Sequence, residues 1–259
     1  MGKPLVSVIT ASYNAENFIE ETIKSVQSQT YQYWEMLITD DCSKDKTCEI
    51  IERISQKDSR VKLFKLEKNL GPAVARNNSI KEAKGRFIAF LDSDDLWLPD
   101  KLNIQINEMT DKNYAVSFTS YIYIDELGKH IGKEVQAIKL LSYSKLLKNN
   151  YIGNLTGIYD AKLIGKIYNP MLRKRQDWCI WLEALKKSNK PALGIQNSLS
   201  KYRIRSNSLS SKKFQLIKYN YLVYRNFLKY NTFKSVGYLI IFLIEYFFVR
   251  YKYIKKTSN

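Results

Sequence analysis

Histidine and cysteine are both scarce in this 259-residue chain. The single histidine, His130, excludes a zinc site built from several histidines and argues against a Ser-His-Asp triad. The three cysteines, Cys42, Cys48 and Cys179, form no C-x-x-C pair, and we interpret them as reduced thiols in a reducing compartment. The chain also lacks G-x-G-x-x-G and G-x-x-x-x-G-K-[ST] motifs, which argues against a dinucleotide-dependent dehydrogenase and a P-loop nucleoside triphosphatase.

Acidic residues are rare in the second half of the chain. Residues 129–259 hold 26 Lys and Arg against 5 Asp and Glu, whereas residues 1–128 hold 16 against 20. The whole of the +17 net charge therefore comes from the second half. Such an asymmetry indicates contact with a phosphate-rich partner, either nucleic acid or an anionic membrane surface.

A long uninterrupted apolar run is also missing. The most apolar stretch, residues 239–249, is 11 residues long and contains Glu245, whereas a membrane-spanning helix needs about 20 apolar residues. We therefore expect it to be too short to cross a bilayer. The N-terminus enters a strand-like segment after residue 4 without a signal-peptide pattern, which predicts that the folded domain stays in the cytoplasm.

Strand-like and helix-like segments alternate along the first 110 residues. Short apolar strands are predicted at 5–10, 36–39, 61–66 and 87–91, with helices at about 17–29, 45–57, 73–84 and 99–110. Strands separated by helices are typical of an α/β domain with a mostly parallel sheet and helices on both faces. This pattern favours a Rossmann-like nucleotide-binding architecture.

The pattern is less regular beyond residue 112. A strand is predicted at 116–124, short helices at 140–147 and 178–187, and a long basic, tyrosine-rich helical extension at 212–256. We divide the chain into a nucleotide-binding half (1–112), an acceptor-binding half (113–211) and a C-terminal helical segment (212–259).

The run from residue 88 to residue 97 is the most informative stretch. An apolar strand ends there at three carboxylates, Asp92, Asp94 and Asp95. Hard cations such as Mg²⁺ and Mn²⁺ prefer oxygen ligands and keep positions for water and phosphate, so a few carboxylates at a strand end suit a metal bridging to a diphosphate. Ligands of open α/β sheets bind at that edge. The alternative is an ordinary acidic turn.

Other polar residues follow the neighbouring predicted strands. Tyr13 comes after the first strand, Asp41 after the second, and Arg76 near the start of the third helix. Together they offer an aromatic face for a base, a carboxylate acceptor for a base N–H, and a cation for phosphates. Taken singly, Asp41 could cap a turn and Arg76 could be a solvated helix residue.

Five ordered segments carry a resemblance to a known family. They are VSVITASYN (6–14), SVQSQTY (25–31), DDCSKD (40–45), GPAVARN (71–77) and FLDSDD (90–95). The sequence resembles the family-2 inverting glycosyltransferases of GT-A fold, in the subgroup that builds bacterial capsule, teichuronic acid and lipopolysaccharide. The similarity is dense over residues 5 to about 105 and reappears at 176–178 and 202–203. It implies a nucleotide-diphospho-sugar donor, usually a UDP-sugar, and a Mn²⁺ or Mg²⁺ ion.

The resemblance also implies roles for residues that bind the donor. Tyr13 would stack on the uracil and Asp41 would accept its ring N–H, while Arg76 approaches the nucleotide. Asp92 would hold the ribose with Ser93 beside it in the donor site. The position of Cys42 is commonly glycine in the family, which puts the conformation of that loop in doubt.

The resemblance assigns the remaining roles to the metal and the chemistry. Asp94 would bind the metal, and Asp177 would be the catalytic base, in a motif usually written Glu-Asp and here Gln176-Asp177. Arg203 would lie close to the diphosphate. Two plainer interpretations remain: Asp177 could simply favour a helix N-terminus, and Arg203 could belong to a solvated basic loop.

The partners follow from the same reasoning. We expect a lipid-linked or oligosaccharide acceptor, and a peripheral location on the inner face of the cell membrane, with segment 212–256 held on anionic lipid. That segment could instead pack on the domain or on a second subunit, which leaves a homo-oligomer open. A nucleic-acid-binding protein would explain the basic charge but not the acidic strand ends, so we predict no nucleic-acid partner. A non-catalytic sugar-nucleotide-binding protein conflicts with the intact Asp94 and Asp177.

Overall fold

A computed structural model describes residues 2–205 and 213–256, and side chains are described for all of these except 213–215. The strands are β1 Val6–Ser12, β2 Trp34–Asp40, β3 Val61–Lys65, β4 Phe87–Phe90, β5 Leu96–Trp97, β6 Val116–Ile124, β7 His130–Val135, β8 Leu140–Leu141, β9 Ile158–Asp160, β10 Ala192–Arg203 and β11 Ile254–Lys256. The α-helices are α1 Ile19–Gln27, α2 Thr47–Ser55, α3 Pro72–Glu82, α4 Lys101–Asp111, α5 Tyr143–Leu146, α6 Ala161–Ile164, α7 Gln176–Ser188, α8 Lys213–Leu222 and α9 Thr232–Ile244. Single π-helical turns follow α8 and α9 directly, at Val223–Phe227 and Glu245–Val249.

One mixed sheet runs through both halves of the chain. Its main order is β11-β7-β6-β9-β4-β1-β2-β3, and β10 pairs with β5, β6 and β8. The strands β3, β2, β1 and β4 are parallel to one another, as the alternating pattern predicts. The α/β prediction is therefore confirmed, with a parallel part made by the first half of the chain and a mixed part made by the second.

Side-chain alternation along the parallel strands builds a core on each face of the sheet. Val8 of β1 and Met36 of β2 belong to one buried cluster, while Ile9 and Leu37, one residue further on, belong to the other. Successive side chains on a strand point to opposite faces, so a continuous apolar strand buries both of them. Helices α1, α2 and α4 cover the first face, and α3 and α7 cover the second.

The second half departs further from its sequence pattern. β9 lies between β4 and β6 and is antiparallel to both, although only three residues long. β10 is parallel to β6 across two register shifts between Ile195 and Ser200. The predicted helix at 140–147 is shorter than expected, because residues 140–141 form β8 before α5 begins. These strands are held by contacts between distant residues, which no local periodicity reveals.

The C-terminal segment is not one helix. The chain turns after the π-helical turn at Val223–Phe227, and a second helix begins with the Asn231 side chain accepting a hydrogen bond from the Lys234 N–H. Within the described residues, helix Thr232–Tyr253 is long and apolar enough to cross a membrane by length and composition, with 22 residues. The expectation that the apolar stretch is too short is corrected on this point, because the helix extends on both sides of residues 239–249.

Candidate functional site

Parallel pairing brings polar residues to one edge of the sheet. β1 is parallel to both β2 and β4, so their carboxyl ends lie side by side. Tyr13, Asp41 and the acidic loop 92–95 follow these three ends. The edge predicted to bind a ligand is therefore assembled from three chain segments.

Arg76 joins the two sides of this edge. Its Nη2 lies 2.6 Å from Oδ1 of Asp92, and its Nη1 donates to Oε1 of Gln176 at 3.1 Å. Asn154 also donates to Oδ1 of Asp92, at 2.8 Å. Because Gln176 begins α7 and Asp177 is the next residue, this contact joins the acidic loop to the start of α7. The sequence predicted Arg76 and Asp92 separately, and the structure pairs them directly, with Arg76 also bound to Gln176, the residue before the predicted Asp177.

Asp41 organises the loop that leads into α3. Its Oδ1 and Oδ2 accept hydrogen bonds from the N–H groups of Leu70 and Gly71, at 2.7 and 2.8 Å. Each carboxylate oxygen can accept a second hydrogen bond, so Asp41 could still accept one from an N–H group of a nucleobase. Cys42 adopts φ of 65°, a left-handed conformation that favours glycine. Cys42 thus holds a turn conformation that glycine adopts more readily.

Tyr13 and Ser93 are the least constrained of the predicted donor residues. Tyr13 is 49% exposed, with its ring at the edge of the site. Ser93 lies partly buried between the two aspartates of the acidic loop. Both residues follow strand ends at the predicted edge.

Asp94 faces a cation supplied by the protein itself. Its Oδ2 lies 2.8 Å from Nε of Arg205. Burial raises the pKa of Asp94, and the positive charge of Arg205 opposes that rise. Asp95 beside it is buried, with Oδ1 accepting the Arg203 N–H at 2.8 Å and Oδ2 without a partner. Burial also raises the pKa of Asp95, with the neighbouring carboxylates adding to the shift.

Arg203 has a different setting from the one expected. Its side chain is only 1% exposed and is paired with Glu21 at 2.6 Å. It also donates to the main-chain oxygens of Asp94, Asp125 and Glu126, so its N–H groups are already used by the protein. Arg203 therefore holds the acidic loop in place through hydrogen bonds from the protein interior. Arg205, two residues later, presents its guanidinium to the site.

Asp177 lies in the first turn of α7. A carboxylate there is favoured by the helix dipole, so the plainer interpretation of this residue is consistent with its position. A second contact goes beyond that: Asn150 donates through Nδ2 to Oδ2 of Asp177 at 2.7 Å. The carboxylate is thus oriented by the side-chain amide of Asn150.

The acidic loop fits a divalent cation held mainly by its substrate. In the part of the chain that the structure describes, no cluster of three His, Cys, Asp or Glu side chains could hold a metal alone. Mg²⁺ and Mn²⁺ bind in such sites through one or two carboxylates plus phosphate oxygens and water. The Asp94 carboxylate is paired with the Arg205 guanidinium, so a protein cation lies at this position in the structure.

Three residues at the site were not predicted from the sequence as site residues: Asn150, Asn154 and Arg205. Asn150 and Asn154 lie in an irregular stretch whose sequence gives no periodic signal. Arg205 belongs to the basic segment that directed attention to Arg203. Only the fold shows which of these two arginines is buried.

Fold and site together define an α/β protein whose parallel strands end at a group of carboxylates, with Arg76 joining Asp92 of that group to Gln176 at the start of α7. The chain belongs to glycosyl transferase family 2, whose model matches residues 7–166. It is 45% identical over 223 residues to a putative teichuronic acid biosynthesis glycosyltransferase, TuaG, of Bacillus subtilis, covering 86% of this chain and 88% of that protein. It is 41% identical over 240 residues to the Escherichia coli UDP-Glc:alpha-D-GlcNAc-diphosphoundecaprenol beta-1,3-glucosyltransferase WfgD, covering 93% and 92%. The protein is a glycosyltransferase.

Solved structures share the fold. S. aureus TarS 1–349 in complex with UDP-GlcNAc superposes with a TM-score of 0.74 at 22% identity, covering 95% of this chain and 74% of that one. The Pyrobaculum calidifontis mannosyltransferase PcManGT in complex with GDP-Man and Mn²⁺ gives 0.69 at 17% identity, covering 92% and 70%. At these identities the likeness concerns the GT-A fold.

Proposed function

We propose that this protein transfers a sugar from a UDP-sugar to a lipid-linked glycan acceptor, with inversion at the anomeric carbon, in the synthesis of a bacterial surface polysaccharide. The contacts of Arg76 carry the proposal. One guanidinium binds both Asp92, on the donor side, and Gln176, the residue before the proposed base. A donor seated on the strand ends then has its reactive carbon near the start of α7.

The strand-end residues would bind the nucleotide. Tyr13 offers an exposed ring for stacking on the uracil, and the Asp41 carboxylate can accept a hydrogen bond from its ring N–H. Asp92, with Ser93 beside it, would hold the ribose. Arg76 keeps the Asp92 carboxylate in place, and its positive charge also favours a nearby diphosphate.

Asp94 would hold Mn²⁺ or Mg²⁺. When bound, such an ion neutralises the diphosphate as it departs with its negative charge. Arg205, paired with Asp94 in this structure, would contact the same phosphates as a second cation. Arg203 would support both residues through its contacts to the acidic loop.

Asp177 would act as the general base. The acceptor hydroxyl oxygen forms a bond to the anomeric carbon while the bond from that carbon to the diphosphate oxygen breaks. The hydroxyl proton goes to Asp177, and the bonding electron pair leaves with the diphosphate. Attack opposite to the leaving group inverts the configuration, and one base is sufficient for it.

The acceptor proposal draws on the relatives. WfgD, by its name, acts on a sugar linked through diphosphate to undecaprenol, and TuaG is named for teichuronic acid biosynthesis. We extend the same class of acceptor to this chain. An acceptor anchored in the membrane requires an enzyme held at the cytoplasmic face, which the basic second half of the chain favours.

A panel of nucleotide sugars tests this proposal. The purified protein is incubated with UDP-, GDP- and dTDP-linked sugars and a lipid-diphosphate-linked sugar, with Mn²⁺, Mg²⁺ or a chelator. We expect release of UDP only when a UDP-sugar, a metal and the acceptor are all present, and a product of inverted configuration by NMR. Chelator-insensitive release or retention of configuration would contradict the metal or the stereochemical assignment. Release from another nucleotide would overturn the UDP assignment.

A further inference from the structure

The helix Thr232–Tyr253 has an apolar face turned away from the protein. We define the outward stripe as six residues spaced by three or four along this helix: Phe233, Val236, Ile240, Ile244, Phe247 and Tyr251. Each is between 44% and 89% exposed. Through Ile244 this spacing places the residues on one side of an α-helix, where a helix facing water carries polar residues. Phe247 and Tyr251, in the π-helical and 3₁₀-helical turns that follow, are exposed as well. The stripe therefore requires an apolar neighbour outside the domain.

The opposite side of the same helix is packed on the domain. Phe242 is buried, with its ring 5.4 Å from that of Trp178 in α7. Glu245 is turned inward and forms an ion pair with Lys145 and a hydrogen bond with the Tyr151 hydroxyl. The helix thus has two apolar faces, and the residues that the structure describes cover only one of them.

Both ends of the helix are attached to the same body. Near the start, the Tyr238 ring lies 5.4 Å from that of Tyr224. Just after the end, β11 pairs with β7, with Ile254 opposite Val135. A helix of 22 residues is about 33 Å long, so one crossing a bilayer would place its ends on opposite sides. These attachments are compatible with a helix lying in the membrane plane and not with one that spans it.

Charge decides between a membrane and a second copy of the chain. Exposed lysines lie at both ends of the stripe: Lys229 and Lys234 at the start, and Lys252, Lys255 and Lys256 at the end. The one acidic residue of the segment 212–256, Glu245, is turned inward. Two copies packed stripe to stripe would bring lysine-bearing ends together without acidic partners from this segment. Anionic head groups would instead neutralise the lysines while acyl chains cover the stripe.

We propose that helix Thr232–Tyr253 lies flat in the surface of an anionic bilayer, with the outward stripe buried in the lipid and its flanking lysines on the head groups. This inference deepens the proposed function by fixing how the enzyme meets its membrane. It brings the start of α7 close to that surface, because Trp178, the residue after Asp177, packs on the same helix.

Flotation with lipid vesicles tests the surface without donor or acceptor, so its result is independent of the proposed transfer. The variant Ile240→Gln/Ile244→Gln/Phe247→Gln is compared with wild type and with the matched control Leu127→Gln/Leu140→Gln/Leu163→Gln, which alters three exposed leucines elsewhere. On vesicles containing phosphatidylglycerol, wild type and control should float, and the stripe variant should lose about 10²-fold or more in partitioning. Equal flotation of all three proteins, or none of wild type, would overturn the proposal.

Depth measurement distinguishes lying from spanning. Nitroxide labels are attached to cysteines introduced at positions 236, 240, 244 and 251, in a Cys42→Ser/Cys48→Ser background. A helix in the plane gives the same shallow depth at all four positions. A depth that changes steadily along the helix would show a spanning helix, and labels protected only at high protein concentration without lipid would show a second copy. Either result would overturn the proposal.

A separate set of hydrogen bonds indicates residues that position the base. Asn150 accepts the Ile152 N–H through its side-chain oxygen at 3.2 Å, which directs its NH₂ group to Oδ2 of Asp177. Arg250, at the end of the membrane-facing helix, donates to the Asn150 main-chain oxygen and to Oδ1 of Asn149 at 2.7 Å. We infer that Asn150 and Arg250 are positioning residues that hold the Asp177 carboxylate toward the acceptor hydroxyl.

A double-mutant experiment tests this second inference, which rests on Asp177 being the base. Asn150→Ala should lower kcat by about 10- to 100-fold with unchanged UDP affinity, and Arg250→Ala should act in the same direction. In an Asp177→Asn background, Asn150→Ala should cause no further loss. An additive loss, or a parallel fall in UDP affinity, would show a merely structural role. If Asp177→Asn alone is fully active, the proposed function fails instead.

Discussion

The two halves of the chain form their parts of the sheet in different ways. The first half forms four parallel strands, each followed by a helix or by the acidic loop, and its polar side chains collect at one edge. The second half forms a mixed sheet from distant segments, with short strands, register shifts and a final strand that returns from the C-terminus. The first half repeats a strand-helix unit between neighbouring parts of the sequence, and the second half is held by contacts between residues far apart in the sequence.

The difference in charge follows nearly the same division. Residues 1–128 carry a slight acidic excess, which suits a site that binds a divalent cation, whereas residues 129–259 carry the basic excess. Two basic residues, Arg203 and Arg205, come from the second half to the acidic loop of the first. The site therefore depends on the joining of the halves, and substitutions on each side of that junction can measure how much each contributes.

The largest effect is expected at Asp94. The substitution Asp94→Asn removes the charge that would hold the metal and should lower the rate of transfer by about 10²–10⁴-fold. Calorimetry of UDP with Mn²⁺ should show a corresponding loss of metal-dependent affinity. Asp111→Asn, at an exposed position at the end of α4, is the matched control and should behave as wild type. Unaltered metal-dependent binding in Asp94→Asn would remove this residue from the metal site.

The two arginines at the junction should behave differently. Arg203→Ala removes a buried cation with four protein partners and should lower the free energy of unfolding by about 3 kcal/mol in urea titrations. Arg205→Ala should cost less than about 1 kcal/mol of stability, because its partner is within reach of water, but should weaken UDP binding with Mn²⁺. If Arg203→Ala weakened UDP binding with little loss of stability, and Arg205→Ala destabilised the fold, Arg203 would be the residue near the diphosphate and Arg205 the structural one.

A smaller effect is expected within the first half. Arg60 lowers the pKa of Asp58 from 3.8 to about 2, aided by a hydrogen bond from Gln27. A carboxyl group whose pKa is lowered in the folded state stabilises the fold at pH values above its unfolded-state pKa. This stabilisation is lost as the pH falls through the folded-state pKa. Asp58→Asn should therefore cost about 2 kcal/mol at neutral pH, and the difference from wild type should disappear near pH 2. Glu108→Gln, in an exposed helical ion pair, should change stability by less than about 0.5 kcal/mol. A constant difference at all pH values would mean that the Asp58 charge is not responsible.

The parallel part of the fold was predictable because its signals are local. Alternating strand and helix periods predict the strands β1 to β4 and their parallel pairing, and strand ends in a parallel sheet meet at one edge. β9 was not predictable, since its three residues gain their place only by lying between β4 and β6. The same applies to β11, whose pairing with β7 requires the whole C-terminal segment to return to the sheet.

Residue types at the site were more predictable than their contacts. Asp92 and Arg76 follow from their positions after a strand and at a helix start, but their ion pair depends on the angle between α3 and the acidic loop. Asn150 is chemically plain and lies in an irregular segment, so nothing in the sequence connects it with Asp177. For Arg203 and Arg205, sequence alone could not tell which is buried, because the two lie two residues apart in one basic segment at the end of β10.

The most direct measurement of the account is turnover of Asp177→Asn, with UDP binding measured on the same preparation. The substitution keeps the shape of the side chain at the start of α7 and removes its ability to take a proton. We expect UDP release in the presence of acceptor to fall by about 10²–10⁴-fold in kcat, while calorimetry with Mn²⁺ gives wild-type affinity for UDP. Turnover near the wild-type rate would contradict the account, because the proton of the acceptor would then have to leave through another residue.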